Sequence, residues 1–441
     1  MENFDVVVIG AGIAGLTAAY HLQKNGFDVE VIEAADRVGG RMTTDALDGY
    51  VIDRGAQFLS TAYPILSGLS AELGLQADFV GTSPWAAIRR GGAIRQFRYD
   101  NIFSPLKSGL LHWSEWLELG MVSVKHARAL VNLPVNDYSA WAEFDTQNAA
   151  DWYNAQYGKW MTEYLIEPML EGFYFQSPEE TSRALPMAVS GFLARGARTM
   201  TLKGGIGSLA VALAGRLRVR LNERVEGISV ERDQVQVQTA KRGLASQFVV
   251  CAAPAHVAKE IGAGENPLLD TAYASTLNLA LGMSKGWKLP ETLRDVYGLL
   301  LPRRERRRVA AVAIETAKSA DRSAGGHLLN VMPAGKSGAE MIDWDEAKVL
   351  EALMPELEEV LPGVSRNVAF SKLYRWRHAE PKSPIGRSKA IGEYRNNISP
   401  HARVLLAGDY MGMPFTEGAA ETGAWAAAQI IKQIDERKKH V

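Results

Sequence analysis

Residues 5–41, DVVVIGAGIAGLTAAYHLQKNGFDVEVIEAADRVGGR, decide the fold. The apolar run at 6–9 is rich in β-branched side chains, which is typical of a strand buried on both faces of a sheet. Residues 13–24 favour a helix, and residues 29–32 form a second apolar run. The stretch therefore predicts one β-α-β unit of about thirty residues, the context in which a glycine-rich turn binds a dinucleotide.

Three glycines in the first turn, Gly10, Gly12 and Gly15, have the G-x-G-x-x-G spacing. The first allows the sharp bend, the second lets a pyrophosphate approach the backbone, and the third lets helix and strand pack closely. The helix N-terminus supplies free N–H groups, and Glu33 at the end of the second strand is placed to bind a ribose. A glycine turn without a ligand is the alternative. The predicted dinucleotide site also includes the neighbouring residues Ile13, Ala14 and Ala34.

A second glycine-rich motif, VGGR, lies at 38–41, and the sequence DRGAQF lies at 53–58. A nicotinamide enzyme has no need of a second glycine pair followed by arginine at this place. The chain here resembles the flavin amine oxidase superfamily, which includes protoporphyrinogen oxidases, carotenoid desaturases and renalase. The resemblance implies FAD as the cofactor, with its diphosphate near Gly40 and Arg41; a solvated loop arginine is the alternative. It also implies an isoalloxazine close to Gly55, Ala56 and Gln57.

Two later segments resemble the same superfamily. Residues 202–228 contain a glycine pair, a short helix and a strand, and the resemblance implies that the Val225 backbone meets the adenine. A helix-turn-strand without a ligand would have a similar pattern. Residues 404–424 contain a Gly-Asp pair at the end of an apolar strand, where ligands sit in open α/β sheets, and then the start of a helix. The resemblance places at FAD the residues Gly408, Asp409, Glu417, Gly418 and Ala419.

The resemblance covers nearly the whole chain and implies an α/β fold. A Rossmann-like FAD-binding domain of the GR2 type would carry an inserted α+β substrate domain. We expect three parts of the FAD-binding domain, at 1–84, 199–268 and 390–441. The substrate domain is expected at 85–198, which is mainly helical, and at 269–389.

Composition excludes several classes of protein. The 441 residues are 47% hydrophobic and 22% charged, with a formal net charge of -1, so no global field attracts nucleic acid or an anionic membrane. Cys251 is the only cysteine, so we expect neither a disulfide framework nor a cysteine-based metal site. The first strand follows Met1 closely, leaving no room for a signal peptide, and no apolar run approaches the ~18 residues of a spanning helix. We expect a cytoplasmic protein without a metal.

Two features of the inserted parts have open interpretations. Residues 104–133 have a helical, amphipathic pattern whose apolar stripe would pack on a core or, as the alternative, dip into a membrane. The five arginines at 303–308 favour a solvated turn over a site for an acidic partner or for lipid headgroups. The apolar stripe consists of Leu110, Leu111, Trp113, Trp116, Leu117 and Met121.

The candidate catalytic residues follow from departures from the family pattern. Monoamine oxidases attach flavin through a cysteine, but residues 382–386 contain none, so we expect FAD to be non-covalent. Many amine oxidases have a lysine near flavin N5 on a strand where this chain has Asn278. The tyrosine of the family's aromatic pair is replaced by Phe415, and Trp376 lies in a segment, 374–381, that resembles the one running toward the flavin.

These residues predict an FAD-dependent oxidoreductase. It would transfer a hydride to flavin N5 from a C–N or C–C bond of a hydrophobic or amine substrate, and oxygen or another acceptor would reoxidise the flavin. The missing lysine and tyrosine favour a reaction like that of protoporphyrinogen oxidases or desaturases. A flavin-free binding protein on the same fold is one alternative. A flavoprotein whose flavin is structural or serves a non-redox step is another.

Overall fold

A computed structural model describes residues 2–232 and 234–439. The strands of these residues are β1 (Glu2–Ile9), β2 (Val29–Ile32), β3 (Thr44–Leu47), β4 (Tyr50–Asp53), β5 (Leu59–Ser60), β6 (Phe79–Gly81), β7 (Trp85–Arg90), β8 (Ala93–Arg98), β9 (Thr199–Leu202), β10 (Val219–Arg220), β11 (Val225–Val230), β12 (Val235–Thr239), β13 (Gly243–Cys251), β14 (Tyr273–Met283), β15 (Val296–Leu300), β16 (Val309–Ile314), β17 (Leu328–Pro333), β18 (Val368–Pro381) and β19 (Val404–Leu406).

The α-helices of the same residues lie between and after these strands. They are α1 (Ile13–Lys24), α2 (Pro64–Glu72), α3 (Ser104–Lys107), α4 (Trp113–Asn132), α5 (Ala149–Tyr157), α6 (Lys159–Met161), α7 (Glu167–Phe173), α8 (Ala184–Ala194), α9 (Gly207–Ala214), α10 (Ala255–Glu260), α11 (Glu315–Lys318), α12 (Gly335–Met341), α13 (Glu346–Val360), α14 (Arg387–Asn396) and α15 (Thr416–Lys439).

The first large sheet has the strand order β10-β2-β1-β13-β12-β11, and β19 also pairs with β13. Strands β10, β2, β1, β13 and β19 run parallel, as expected of strands joined by crossovers. The predicted β-α-β unit is confirmed, because β1, α1 and β2 follow in order and α1 has the predicted bounds. This sheet holds the glycine turn and the Gly-Asp pair at the carboxyl ends of β1 and β19.

The second large sheet has the order β18-β14-β17-β16-β15-β7-β8 and is antiparallel except for β7 and β15. One face packs on α13 through aliphatic side chains such as Leu279, Val331 and Leu353. Side chains alternate along a strand, so Asn278 and Asn330 lie on the opposite face. The α/β class is confirmed, while the domain boundaries given above stay predictions.

The apolar stripe at 104–133 does not pack as a whole. The chain breaks after α3, with Gly109 at φ +71, and a new helix begins at Trp113. Leu110 and Leu111 are buried as expected, but Trp113 is 60% and Met121 65% exposed. The prediction of a packed stripe is therefore wrong for Trp113, Leu117 and Met121, because they share one face of α4, whereas the core contacts the face that carries Leu119 and Leu130.

The arginine run is paired with carboxylates of the same chain. Arg304 bonds to Glu163, Arg306 to Glu167 and Arg307 to Glu359, while Arg303 reaches Glu179 and Arg308 reaches Glu340. Arg306 is buried together with Glu167. These pairs neutralise the run locally and leave little charge to attract an acidic partner. Among the described residues, no helix is both long and apolar enough to cross a membrane.

Candidate FAD and substrate site

The turn between β1 and α1 leaves open space in front of Gly12. Gly12 precedes the first helical residue, Ile13, and caps the helix with no side chain. A Cβ placed on Gly12 would meet no atom within 4 Å, whereas a Cβ on Gly15 would lie 2.0 Å from the Gly10 carbonyl oxygen. Uncapped N–H groups that face open space form an anion site, so these residues fit a diphosphate.

Two further predicted residues lie beside this turn. The Glu33 carboxylate accepts hydrogen bonds from the backbone N–H of Ala11 at 2.7 Å and of Ala35 at 2.8 Å, which fixes it at the end of β2. A Cβ on Gly40 would lie 3.5 Å from the Gly12 Cα, so the two glycine motifs come together. Ala34 is exposed next to Glu33.

Arg41 connects the second glycine motif to the end of β19. Its guanidinium forms a two-pronged ion pair with Asp409, at 2.6 and 2.8 Å, and donates to the Ala379 carbonyl oxygen at 2.6 Å. Gly408 has φ +132, a conformation that favours glycine, and this turns Asp409 toward Arg41. The buried Arg387 donates to the carbonyl oxygens of Asp409 and Gly412 and so holds the turn. The glycine motif near the start of the sequence and the Gly-Asp pair near its end therefore meet at one place.

Glu380, next to this pair, was not predicted from the sequence. Burial, and then the charge of Asp409, raise the pKa of its carboxyl group well above the ordinary value of 4.5. Its Oε2 atom is buried without a hydrogen-bond partner among the described residues. A buried carboxyl group with a raised pKa and an unpartnered oxygen, beside Arg41 and a polar turn, suits a site that binds a polar ligand.

The segment 53–57 is fixed by side chains of the second sheet. Trp376 of β18 donates its indole N–H to the Arg54 carbonyl oxygen at 2.8 Å. Asn278 of β14 donates to the carbonyl oxygens of Asp53 and Arg54, each at 3.2 Å. The predicted residues Asn278, Trp376 and Gly55 thus lie together, and a Cβ on Gly55 would be 3.1 Å from the Trp376 ring. Half-buried Ala56 follows in the same segment.

A fully buried ion cluster lies behind this segment. Lys318 contacts Asp53 at 2.6 Å and Glu315 at 2.9 Å, and Arg322 contacts Asp53 at 3.4 Å; all four side chains have 0% exposure. Burial raises the pKa of Asp53, but Lys318 and Arg322 outweigh it and the pKa is lowered. For Glu315 burial prevails and the pKa is raised. Asp53 also accepts from the Thr44 hydroxyl of β3 at 2.7 Å, and its ion pair with Lys318 connects β4 to α11.

The predicted aromatic residue Phe415 lies in a cluster with two other rings. It stacks on Tyr63 with centroids 5.5 Å apart and meets Phe192 edge-on at 5.7 Å. The next helix, α15, begins at Thr416 as the sequence predicts. Glu417 accepts hydrogen bonds from the N–H groups of Ile65 and Leu66, at 2.8 and 3.0 Å, and so caps α2. Its role at FAD stays a prediction.

The remaining predicted residues lie where two helices and the sheet meet. A Cβ on Gly423 of α15 would be 2.1 Å from the Ala14 carbonyl oxygen, so α1 and α15 touch through backbone. Gly418 packs on Met413 in the same way, and Ala419 is buried beside it. Val225 is buried at the start of β11. None of these contacts tests a ligand role.

Residues 13–431 match the family described as flavin containing amine oxidoreductase. The chain belongs to this family. The family's cofactor is FAD, and the glycine turn and Glu33 have a geometry that its diphosphate and ribose fit. The chain is therefore an FAD-dependent oxidoreductase. The flavin-free alternative loses its support, because the family that matches residues 13–431 is described as flavin containing.

Relatives within the family differ in the reactions that their names give. A coproporphyrinogen III oxidase of Bacillus subtilis is 22% identical over 462 residues, which cover 91% of this chain and 93% of that protein. A flavin-containing monoamine oxidase, AofH, of Mycobacterium tuberculosis is 28% identical over 278 residues, or 57% of each chain. The structure of cyclohexylamine oxidase from Brevibacterium oxydans shares the fold with a TM-score of 0.76 at 19% identity, covering 98% of this chain and 99% of that chain.

Several residues of the site were missed by sequence reasoning. Glu380 lies in the segment 374–381 that was singled out, and a carboxylate before the proline of a strand could have marked it. Asn330, Lys318 and Arg322 carry no local signal, because their importance depends on partners more than 100 residues away.

Proposed function

We propose that the protein removes two electrons from a C–N or C–C bond of a hydrophobic or amine substrate, and that oxygen or another acceptor completes the cycle. The observation that carries the proposal is the uncharged pair Asn278 and Trp376, held by hydrogen bonds against the segment 53–57. The names of the relatives, which include porphyrinogen and amine oxidases, support the same two bond types.

Bound FAD would supply the two-electron acceptor. The α1 N-terminus and Arg41 would hold its diphosphate, and Glu33 its ribose. Asn278 and Trp376 would orient the substrate, because the backbone carbonyls at 53 and 54 prevent both side chains from turning. Phe415 would exclude water from the reacting carbon, together with the rings on which it packs.

Neither Asn278 nor Trp376 titrates, so they offer no proton transfer. The proposed substrate is therefore one whose carbon already gives up a hydride readily, because a nitrogen or two adjacent unsaturated groups activate it. FAD would be non-covalent, since the single cysteine, Cys251, is buried within β13.

The first experiment is the visible spectrum of the purified protein, followed by acid precipitation. Yellow protein that releases free FAD is expected. Anaerobic mixing with amines, porphyrinogens and polyenes should then bleach the flavin with one class only, and air should restore the colour if oxygen is the acceptor. Flavin that dithionite reduces but no candidate substrate bleaches would contradict the proposed reaction. Protein that neither carries nor takes up FAD would contradict the cofactor site itself.

We also propose that α4 contacts an anionic lipid surface. Its outward face carries Trp113, Leu117, Met121 and Val124, which recur at helical spacing and are 41–77% exposed. Trp113 and Trp116 stack at 5.3 Å near the helix start, an arrangement suited to a membrane interface. The exposed basic side chains nearby, Lys107, Lys125 and Arg128, complement anionic headgroups. A chain without disulfides supports a cytoplasmic location, from which α4 would reach the membrane.

Vesicle sedimentation tests this contact. The protein should sediment with phosphatidylglycerol-containing vesicles, less with pure phosphatidylcholine, and less at high salt. The double variant Met121→Glu and Val124→Glu should abolish binding, whereas Val211→Glu on α9, also an exposed apolar position, should not. Equal loss in both variants would contradict the assignment to α4. A wild-type dimer that the double variant dissociates would instead assign the face to a second copy of the chain.

A further inference from the structure

The amide of Asn278 has only one allowed orientation. Its Nδ2 donates to two backbone carbonyls, those of Asp53 and Arg54, and a carbonyl oxygen cannot donate in return. In a flipped amide the Oδ1 atom, an acceptor, would face these two carbonyl oxygens, which are also acceptors. The flipped orientation is therefore excluded. The Oδ1 atom therefore points away from the segment 53–57. It is buried and has no donor among the described residues.

The orientation of the Asn330 amide is also fixed, through its hydrogen bond with Gln57. Gln57 donates its Nε2 to the carbonyl oxygens of Asp53, at 3.2 Å, and Gly55, at 2.9 Å. The Gln57 Oε1 atom must therefore accept, and it accepts from the Nδ2 of Asn330 at 3.1 Å. The Asn330 Oδ1 is left as a second buried acceptor without a donor among the described residues.

The two amides lie on one face of the second sheet. Strands β14 and β17 pair directly, with Ala280 opposite Asn330, so Asn278 is two residues away on the same face. Ala313 lies opposite Asn330 on the next strand, and Ala311 follows at the same spacing. These alanines pack in a buried cluster with Tyr297 and Met332, so the two amides border an apolar part of the same face. Asn278 is 3% and Asn330 0% exposed, so bulk water does not satisfy either oxygen.

The charges around Asn278 and Asn330 favour a ligand that donates a hydrogen bond, but they do not favour an anion. The buried cluster behind the segment contains two basic and two acidic side chains, Lys318 and Arg322 with Asp53 and Glu315, so it presents no excess positive charge. A carboxylate placed against two carbonyl oxygens would meet lone pairs on both sides. An N–H group placed there would satisfy acceptors that are otherwise unfavourable to bury.

We propose that Asn278 and Asn330 form an acceptor pair that binds an N–H group of the substrate next to the carbon that is oxidised. The shared chemistry is an N–H donor, which an amine or a pyrrole ring can bring. The inference rests on the proposed oxidation of a substrate at FAD and adds what the site selects: N–H donors are bound, while N-alkylated analogues and carboxylates are rejected.

The test uses the FAD-loaded protein and the change in its flavin spectrum on ligand titration. One arm compares pyrrole with N-methylpyrrole, and the other compares benzylamine, which is protonated at neutral pH, with benzyltrimethylammonium, which has the same charge and no N–H group. In the wild type the N–H ligand of at least one arm should bind about 10-fold more tightly, the value of one good hydrogen bond. The arm that shows the preference identifies the source of the N–H group. Benzoate should bind more weakly than either amine or pyrrole.

Variants assign the preference to the two amides. Asn278→Leu and Asn330→Leu, which are nearly isosteric, should each reduce the ratio toward one while FAD is retained. Asn154→Leu is the matched control, because the Asn154 Oδ1 is also buried without a partner but lies on α5. The control should keep the wild-type ratio.

Three outcomes would overturn the inference. One is equal binding of N–H and N-methylated ligands in both arms by the wild type, a result that needs no variant to fold. Another is an unchanged ratio in both leucine variants. The third is a shift of the flavin reduction potential in these variants with an unchanged ratio, which would show that the oxygens face the flavin. Loss of FAD from the wild type would instead refute the proposed function, so the two failures are distinguishable.

Discussion

A substitution at Gly12 should affect ligand binding strongly and folding only slightly. A side chain there would meet no protein atom within 4 Å, and its φ of -70° is allowed for any residue. We expect Gly12→Val to fold, at a loss of no more than about 1 kcal/mol for a poorer helix cap. It should nevertheless release FAD, because the valine would fill the place of the diphosphate. FAD content after acid release and thermal unfolding of the apoprotein measure the two effects.

Two other glycines make the controls for this variant. Gly68 in α2 also has open space, so Gly68→Val should retain FAD. Gly15→Val should fail to fold, since its Cβ would lie 2.0 Å from a carbonyl oxygen of the turn. Retention of FAD by Gly12→Val would contradict the placement of the diphosphate.

These glycines were predictable because their roles depend on the local backbone. The spacing of Gly10, Gly12 and Gly15 specifies a turn and a close approach within six residues. The orientation of the Asn330 amide was not predictable in this way, because it depends on a hydrogen bond to Gln57, 273 residues away in sequence. Asn278 stood out only as a departure from a family pattern, and the sequence alone did not reveal that its orientation is fixed.

Glu417 connects two helices, α2 and α15, and should make their packing depend on pH. Burial, followed by the repulsion of Glu421, raises the pKa of Glu417 from 4.5 to about 7. The folded protein then holds a proton between these pH values that the unfolded chain has released. The stability from this group is therefore complete below pH 4.5 and is lost as the pH rises through 7, by about 3 kcal/mol.

The variant Glu417→Gln isolates this effect. Urea unfolding at pH 5 and at pH 7.5 should show a smaller decrease of stability in the variant than in the wild type. The variant also loses one of the two caps on α2, so it should be less stable than the wild type at pH 5, where Glu417 holds its proton, and this difference should shrink or reverse at pH 7.5. An equal decrease in both proteins would show that Glu417 does not titrate in this range.

The helix α4 shows why periodicity predicted an element but not its environment. Both of its faces carry apolar residues: Leu119 and Leu130 point inward, and Leu117 and Val124 point outward. Hydrophobic spacing alone cannot distinguish a helix packed on both sides from one with a free apolar face. The Ser108-Gly109 pair signals the break before α4, but it does not indicate which face of α4 packs on the core.

The assembly of the two large sheets was expected in outline from motifs at both ends of the chain. The ion pairs that connect separate elements were not expected, because the partners of buried ions lie far away in the sequence and leave no local pattern. The cluster of Asp53, Glu315, Lys318 and Arg322 is the clearest case, since its members come from β4, from α11 and from the turn after it.

The four residues of this cluster should stabilise the fold jointly, so their contributions to the free energy of unfolding should not be additive. In Lys318→Met, two fully buried carboxylates would share only Arg322, and we expect a loss of about 3–5 kcal/mol in the free energy of unfolding. Adding Glu315→Gln removes one of the uncompensated charges without changing the shape, so the double variant should recover much of that loss. Urea unfolding of the wild type, both single variants and the double variant gives the coupling between the two sites. Additive losses would mean that the charges of Lys318 and Glu315 are not coupled, in which case the cluster would not be what connects the segment 53–57 to α11.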